Sequence, residues 1–347
     1  LQKVIKIKEI LKNLNSSLKP NSVIFAYHVL SEFENINYLE SRGRDSASLS
    51  INFILKKNSK LKCTNDSNKL SLSINKISTN KEILNITLKT ANRIGYSGEN
   101  VKNLKNTLIS SDIISKINFE DLEFFSIITH TRWATVGNVN LNNCHPLIIK
   151  EKDNYNFYSM NGDITNYKKI FNKLTKKETK KIDKKCNNDL VILNSVFKKK
   201  KQKDLQGSFV IIGFDFKNPK KILIYKKGDQ GLYFSKDPDN NVIISSDVYG
   251  IVNRSSKYNV IKNNVSILID EKKSLNKYFI HSSFQNSNLS SRDFDKKNHE
   301  TFFQKEINDT ELFIKRTTQN YVNLDKKKLK NLELFNSITL KKIKNKK

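Results

Sequence analysis

Two apolar runs that each stop at a polar cluster constrain this chain most. Residues 124–128 (FFSII) lead into Thr129-His130-Thr131-Arg132-Trp133-Ala134-Thr135, and residues 155–160 (YNFYSM) lead into Asn161-Gly162-Asp163. Short runs rich in aromatic and β-branched residues read as strands. Strands that end in side chains able to donate, accept or carry charge put a site at the strand ends, where loops are free to shape it. The span 127–167 also holds the only Trp (Trp133), the only Met (Met160) and two of the five His (His130, His145), so the chemically distinctive residues converge there.

Three blocks of this span, in order, carry a family resemblance. HTRWAT followed by Gly137, then Asn142-Asn143-Cys144-His145-Pro146, then NGDITNY (161–167) resemble the class II glutamine amidotransferases, in particular the glucosamine-6-phosphate synthase type with its HTRWATHG, NAHPH and HNGIIENY. The resemblance implies an α+β fold, the four-layer αββα sandwich of the N-terminal-nucleophile hydrolases. It implies an enzyme that splits ammonia from L-glutamine and delivers it to a sugar phosphate, fructose 6-phosphate being converted to glucosamine 6-phosphate. Amidophosphoribosyltransferase or glutamate synthase chemistry, or glutamine binding without catalysis, are the alternatives. No cofactor and no metal are implied, and the full-length enzyme is expected to be a homo-oligomer.

Such chemistry needs a nucleophile at the amide carbon, donors for the oxyanion and a grip on the amino-acid head group. By resemblance, the oxyanion falls to the Asn161 side chain and the Gly162 N–H. Arg132 suits bidentate capture of the α-carboxylate, Thr135 adds a hydroxyl contact and Asp189 pairs with the α-ammonium. Trp133 is expected to pack the loop beneath the site. Val136 and Met160 stand where the family has His. The family's nucleophile is an amino-terminal Cys, whereas this chain begins with Leu1 and has Cys63, Cys144 and Cys186. Cys144 neighbours His145, but adjacent side chains of an extended segment point to opposite faces. The expectation is therefore a fragment whose first strand lies upstream of Leu1, with a degenerate, catalytically dead amidotransferase as the alternative.

Along the chain, residues 1–14 read as an amphipathic helix, 13–21 as a polar turn around Pro20, and 22–39 as helical in the second half. Residues 39–47 (LESRGRDSA) resemble the family's L-E-Y-R-G-Y-D-S-A, with Gly43 as a left-handed helix cap and a strand over 49–55. Residues 56–73 read as a surface excursion, 101–109 and 168–174 as helices, and 175–185 as a basic, disordered-looking stretch. Asp189 reads as a helix N-cap or a ligand contact. Residues 205–268 read as an antiparallel meander of short strands. Residues 282–297 read as a linker, and His299-Glu300-Thr301-Phe302-Phe303-Gln304-Lys305-Glu306-Ile307 resembles the block that joins the glutamine domain to sugar-phosphate isomerase domains. Domain boundaries follow: 1–280 for the glutamine domain and 281–347 for the connection.

The net charge of +29 raises the question of a nucleic-acid surface. The positive residues are almost all Lys and are scattered, whereas specific base and phosphate contacts lean on Arg. This reads as compositional bias and predicts no specific nucleic-acid partner. No apolar run approaches the length of a bilayer span. Three widely spaced cysteines fit reduced thiols and a cytoplasmic location.

Overall fold

The computed structural model describes residues 19–56, 70–78, 81–91, 98–111, 113–152, 154–262, 264–270, 284–287, 302–323 and 328–329, together with positions 5, 7, 8, 11, 12 and 299. The expected helix over 1–14 is described at five positions only, all helical, with Leu11 buried. Cys63 and most of 282–297 lie outside the described residues. Contacts divide the chain into two units, residues 1–294 and 295–347.

In the first unit, helix α1 (Pro20–Leu39) starts on Pro20, whose missing N–H costs nothing at a first helical position. It runs the whole length of the segment rather than its second half. Phe25, Val29, Phe33 and Ile36 recur at helical spacing and are buried against the first sheet. That sheet comprises β1 (Ser46–Lys56), β2 (Leu70–Ser78), β3 (Lys81–Ala91) and β4 (Leu122–Arg132), ordered β2-β3-β1-β4 and antiparallel throughout. Helix α2 (Glu99–Ser110) joins α1 on the outer face.

β1 is buried on both faces up to Leu55. Its odd positions Leu49, Ile51 and Phe53 meet the helices. Its even positions Ser50 and Asn52 bond to Asn85, at 2.9 and 2.7 Å, and Ser50 also meets Thr87 at 2.8 Å. Buried polar side chains of this kind are tolerated because they satisfy one another.

The second sheet is built from β5 (Leu147–Glu151), β6 (Asn154–Ile164), β7 (Gly207–Asp215), β8 (Lys221–Lys227) and a later strand, Val265–Asp270. Its outer face packs on helices α3 (Tyr167–Phe171), α4 (Lys176–Thr179) and α5 (Leu193–Lys198) through Tyr158, Met160, Ile164, Leu190 and Leu193. Its inner face meets the first sheet through Phe157, Phe214 and Ile83. The architecture is thus α+β, with helix, sheet, sheet and helix layers in that order.

Two expectations need correction here. Residues 175–185 are ordered: Thr175 and Glu178 form a reciprocal capping box that starts α4. Residues 205–268 do not form a single meander. β9 (Tyr233–Lys236), β10 (Val242–Ser245) and β11 (Lys257–Val260) leave to form a separate sheet with β13 (Gln285–Asn286), while β12 (Val265–Asp270) returns to pair with β8. Alternation along one strand says where side chains point but not which strand pairs with which.

The second unit contains helix α6 (Phe302–Tyr321), which carries the FFQKEI block, followed by a short pairing of β14 (Val322–Asn323) with β15 (Lys328–Leu329).

Phe157 is fully buried between the sheets and stacked on Phe214, with ring centroids 4.2 Å apart. Phe157→Ala is expected to cost about 3–5 kcal/mol, read as a lower midpoint of urea unfolding.

Candidate active site

A cavity of roughly 220 Å³ opens where β4 and β6 end, lined among others by Arg132, Trp133, Asn161, Gly162, Asp189 and Gln230. Its geometry follows from the outer edge of β6. β5 pairs with residues 154–158 only, so beyond Tyr158 that edge has no neighbouring strand. The Met160 N–H donates instead to His145 Nδ1 at 3.3 Å, and the Ile164 N–H donates to Asp189 Oδ2 at 2.8 Å. Gly162, between them, lines the cavity.

Gly162 has φ +95°, and a Cβ there would stand 2.1 Å from the Ser208 carbonyl oxygen. Only glycine gives both that conformation and that close approach to β7.

His130 and His145 finish the edge. His130 Nε2 lies 2.9 Å from both the Met160 carbonyl oxygen and His145 Nδ1. Because His145 Nδ1 accepts from Met160, its proton sits on Nε2, and His130 carries its own on the donating Nε2. Burial keeps both rings neutral: His130 is pushed down to about 4 and His145 well below the usual imidazole range, with Arg132 adding to both effects.

Arg132 ends β4. Its guanidinium donates to the carbonyls of Val136 and Asn138, the latter at 3.2 Å, so the loop 133–138 curls back over its own first residue. Two of the five donors are thus committed to the loop. Asparagines from two distant segments hold the loop down. The Asn138 N–H donates to Asn187 Oδ1 at 3.1 Å, and Asn143 and Asn187 bond reciprocally at 2.7 and 2.9 Å. Asp45 accepts from the Ala134 N–H at 2.7 Å, and its own N–H donates to the Arg132 carbonyl at 3.0 Å.

Several sequence expectations change. Gly43 is extended (φ −164°), not a left-handed cap. It is needed because a Cβ would lie 2.8 Å from the Arg132 carbonyl carbon, against the end of β4. Trp133 does not pack beneath the loop: it is 68% exposed at the cavity rim, since Arg132, its neighbour in an extended segment, takes the inward side. Thr135 gives its hydroxyl to Asp163.

The N-cap reading of Asp189 belongs to Asn188, which accepts from the Leu190 N–H. Asp189 reaches across to β6, and burial raises its carboxyl to about 6. Met160, at the position of a family His, is buried on the helix side of the sheet. Cys144 and Cys186 are buried, burial pushes both thiols up, and no described cysteine lines the cavity. Asp45, Asn187 and Gln230 were not singled out by sequence. Only the paired asparagines 142–143 and 187–188, one on each side of the loop's anchor, gave a signal.

The profile of the glutamine amidotransferase domain matches residues 122–302, just over half of the chain. A stretch of 102 residues is 35% identical to glutamine–fructose-6-phosphate aminotransferase (isomerizing) of Methanococcus maripaludis, covering 26% of this chain and 16% of that one. Another of 64 residues is 33% identical to amidophosphoribosyltransferase of Archaeoglobus fulgidus, covering 18% and 14%. Among solved structures, a glutamine phosphoribosylpyrophosphate amidotransferase of B. subtilis, complexed with ADP and GMP, aligns with a TM-score of 0.40 and 12% identity over 71% of this chain and 47% of that one. The matched segments thus span less than a fifth of the two curated relatives' lengths.

Two outcomes test this geometry. Gly162→Ala is expected to cost about 3 kcal/mol or more, from backbone strain plus overlap with Ser208. Gly213→Ala, where the nearest atoms lie 3.2 Å away at an ordinary φ, costs less in the same denaturant titration. For the histidines, a folded pKa below the unfolded value means that stability is lost as pH falls from about 6.5 towards 4. Asp189, with a raised folded pKa, gains stability over much of that range. In Asp189→Asn, where the opposing titration is gone, the unfolding free energy should fall more steeply between about pH 6.5 and 4 than in the native chain, read by denaturant titration at each pH.

Proposed function

The chain belongs to the glutamine amidotransferase domain family, and from that premise we propose that its cavity grips L-glutamine for the release of ammonia to a sugar phosphate. One observation carries the reading. A single cavity is lined by a guanidinium (Arg132), a carboxylate (Asp189), the Asn161 side-chain amide and Gly162. This is the complement of an α-amino acid that ends in an amide. Arg132 takes the α-carboxylate, Asp189 takes the α-ammonium, and Trp133 covers the rim.

When a nucleophile adds to the amide carbon, the negative charge that develops on oxygen falls to the Gly162 N–H and to the Asn161 amide. Donors already aimed at that oxygen stabilise the transition state without reorganising. When the adduct collapses with the nitrogen protonated, the C–N bond breaks, ammonia leaves, and the glutamyl group stays on the nucleophile until water releases it as glutamate. The described part of the chain supplies the grip and the oxyanion donors, and the nucleophile implied by the family is an amino-terminal Cys.

For the acceptor we favour fructose 6-phosphate, giving glucosamine 6-phosphate. Its support is the similarity to the Methanococcus aminotransferase together with the RGRDSA and FFQKEI blocks. The assignment of residues 281–347 as a connection towards sugar-phosphate domains belongs to the same proposal. Phosphoribosyl pyrophosphate is the second reading, from the shorter similarity to amidophosphoribosyltransferase. Product analysis of the full-length protein given each acceptor with glutamine separates them.

Calorimetric titration tests the glutamine grip. L-glutamine should bind near neutral pH and lose affinity as pH falls through about 6, when Asp189 takes up a proton. Asp189→Asn, which keeps the side chain's shape, should bind about ten- to a hundredfold more weakly and show no such pH dependence. A folded chain that binds no L-glutamine at millimolar concentration would overturn the reading.

A further inference from the structure

Gln230 occupies space that the proposed reaction needs open. It stands at the tip between β8 and β9 and lines the cavity. Its side-chain oxygen accepts from Asn161 Nδ2 at 3.0 Å. Its Cγ lies 2.9 Å from where a Cβ on Gly162 would be, so the side chain runs along the face of that glycine. The Asn161 amide assigned to the oxyanion is therefore already engaged by a two-carbon chain ending in a primary amide, which is the side chain of glutamine itself.

The loop that carries Gln230 is pinned by its backbone. Lys226 Nζ donates to the Gln230 carbonyl at 2.5 Å, the Asp229 N–H to Ser208 Oγ at 3.0 Å, and the Gly228 N–H to Asn264 Oδ1 at 2.8 Å. Gly231 is held so close to Ser246 that a Cβ would stand 2.4 Å from its carbonyl oxygen. With the backbone fixed, the amide of Gln230 can leave the site by side-chain rotation alone.

We propose that Gln230 is an internal occupant of the amide subsite: its own carboxamide satisfies Asn161 while the site is empty, and must rotate away before the amide of glutamine docks. This rests on the glutamine reading above. The residue thereby sets substrate affinity, since every binding event exchanges one carboxamide for another on the same donor. The competing role, a brace that orients Asn161, predicts the opposite sign on removal.

The test is calorimetric titration of L-glutamine into the whole chain, Gln230→Ala and Gln230→Glu, with circular dichroism confirming that all three are folded. Removing one competing hydrogen bond of ordinary strength should tighten the Kd of Gln230→Ala about fivefold. A carboxylate is a stronger acceptor for Asn161, so Gln230→Glu should bind more weakly than the native chain. Equal or weaker binding by Gln230→Ala overturns the proposal while leaving the glutamine reading intact. If none of the three folded proteins binds L-glutamine, the reading of the cavity fails and the occupant role falls with it.

Discussion

Where β5 stops, with Leu147 opposite Tyr158, the outer edge of β6 continues with backbone groups that a neighbouring strand would otherwise satisfy. Leaving such groups buried and unpaired is expensive. Here His145 and His130 take the two groups of Met160, and Asp189 takes the N–H of Ile164. Side chains thus do at two positions what a strand does continuously. Between them lies Gly162, which β5 does not reach and which lines the cavity.

The walls of that cavity depend on backbone being held by side chains from far along the sequence. Arg132 ends β4, and its carbonyl is fixed by Asp45, which also holds Ala134. Asn187 holds Asn138, and a Cβ on Gly137 would come within 2.8 Å of Asn187 Oδ1, so this loop too needs a glycine. The close approach of Gly43 to Arg132 puts the end of the first helical segment against the same strand end. These contacts act before any ligand arrives. A site whose donors are fixed in advance loses less on binding than one that must be ordered by it.

The sequence made the site more legible than the sheets. The two apolar runs lie on β4 and β6 as expected, but both strands run on into the polar clusters, β4 to Arg132 and β6 past Asn161-Gly162-Asp163 to Ile164, with Trp133 to Thr135 in the loop beyond. Asp189 was found although its neighbours depart from the family pattern, yet its bond to Ile164 could not be read, since nothing local links positions 25 residues apart. Gly43 was recognised as necessary for the wrong reason: glycine reports either a backbone angle or a close approach, and sequence does not separate the two. β3 escaped notice among Lys and Asn residues, and β9–β11 were assigned to the sheet they leave, because pairing is decided by partners rather than by a strand's own pattern. Gln230 carried no signal at all, since its importance comes only from what it touches.

The electrostatics of the cavity owe little to the net charge of +29, which sits mostly on dispersed lysines. Burial decides instead. It raises Asp189 to about 6, keeps His130 and His145 neutral and works against the charge of Arg132. Neutral histidines matter to Arg132, because an imidazolium at the Met160 edge would put a second positive charge beside a guanidinium already poorly solvated. A zwitterion entering this cavity would return to each group what burial took away, its ammonium favouring ionised Asp189 and its carboxylate favouring Arg132. By linkage, a ligand that lowers the pKa of Asp189 releases a proton on binding near pH 6. Burial thus works against both charges at once, and a zwitterion bearing both complements would offset that cost at each.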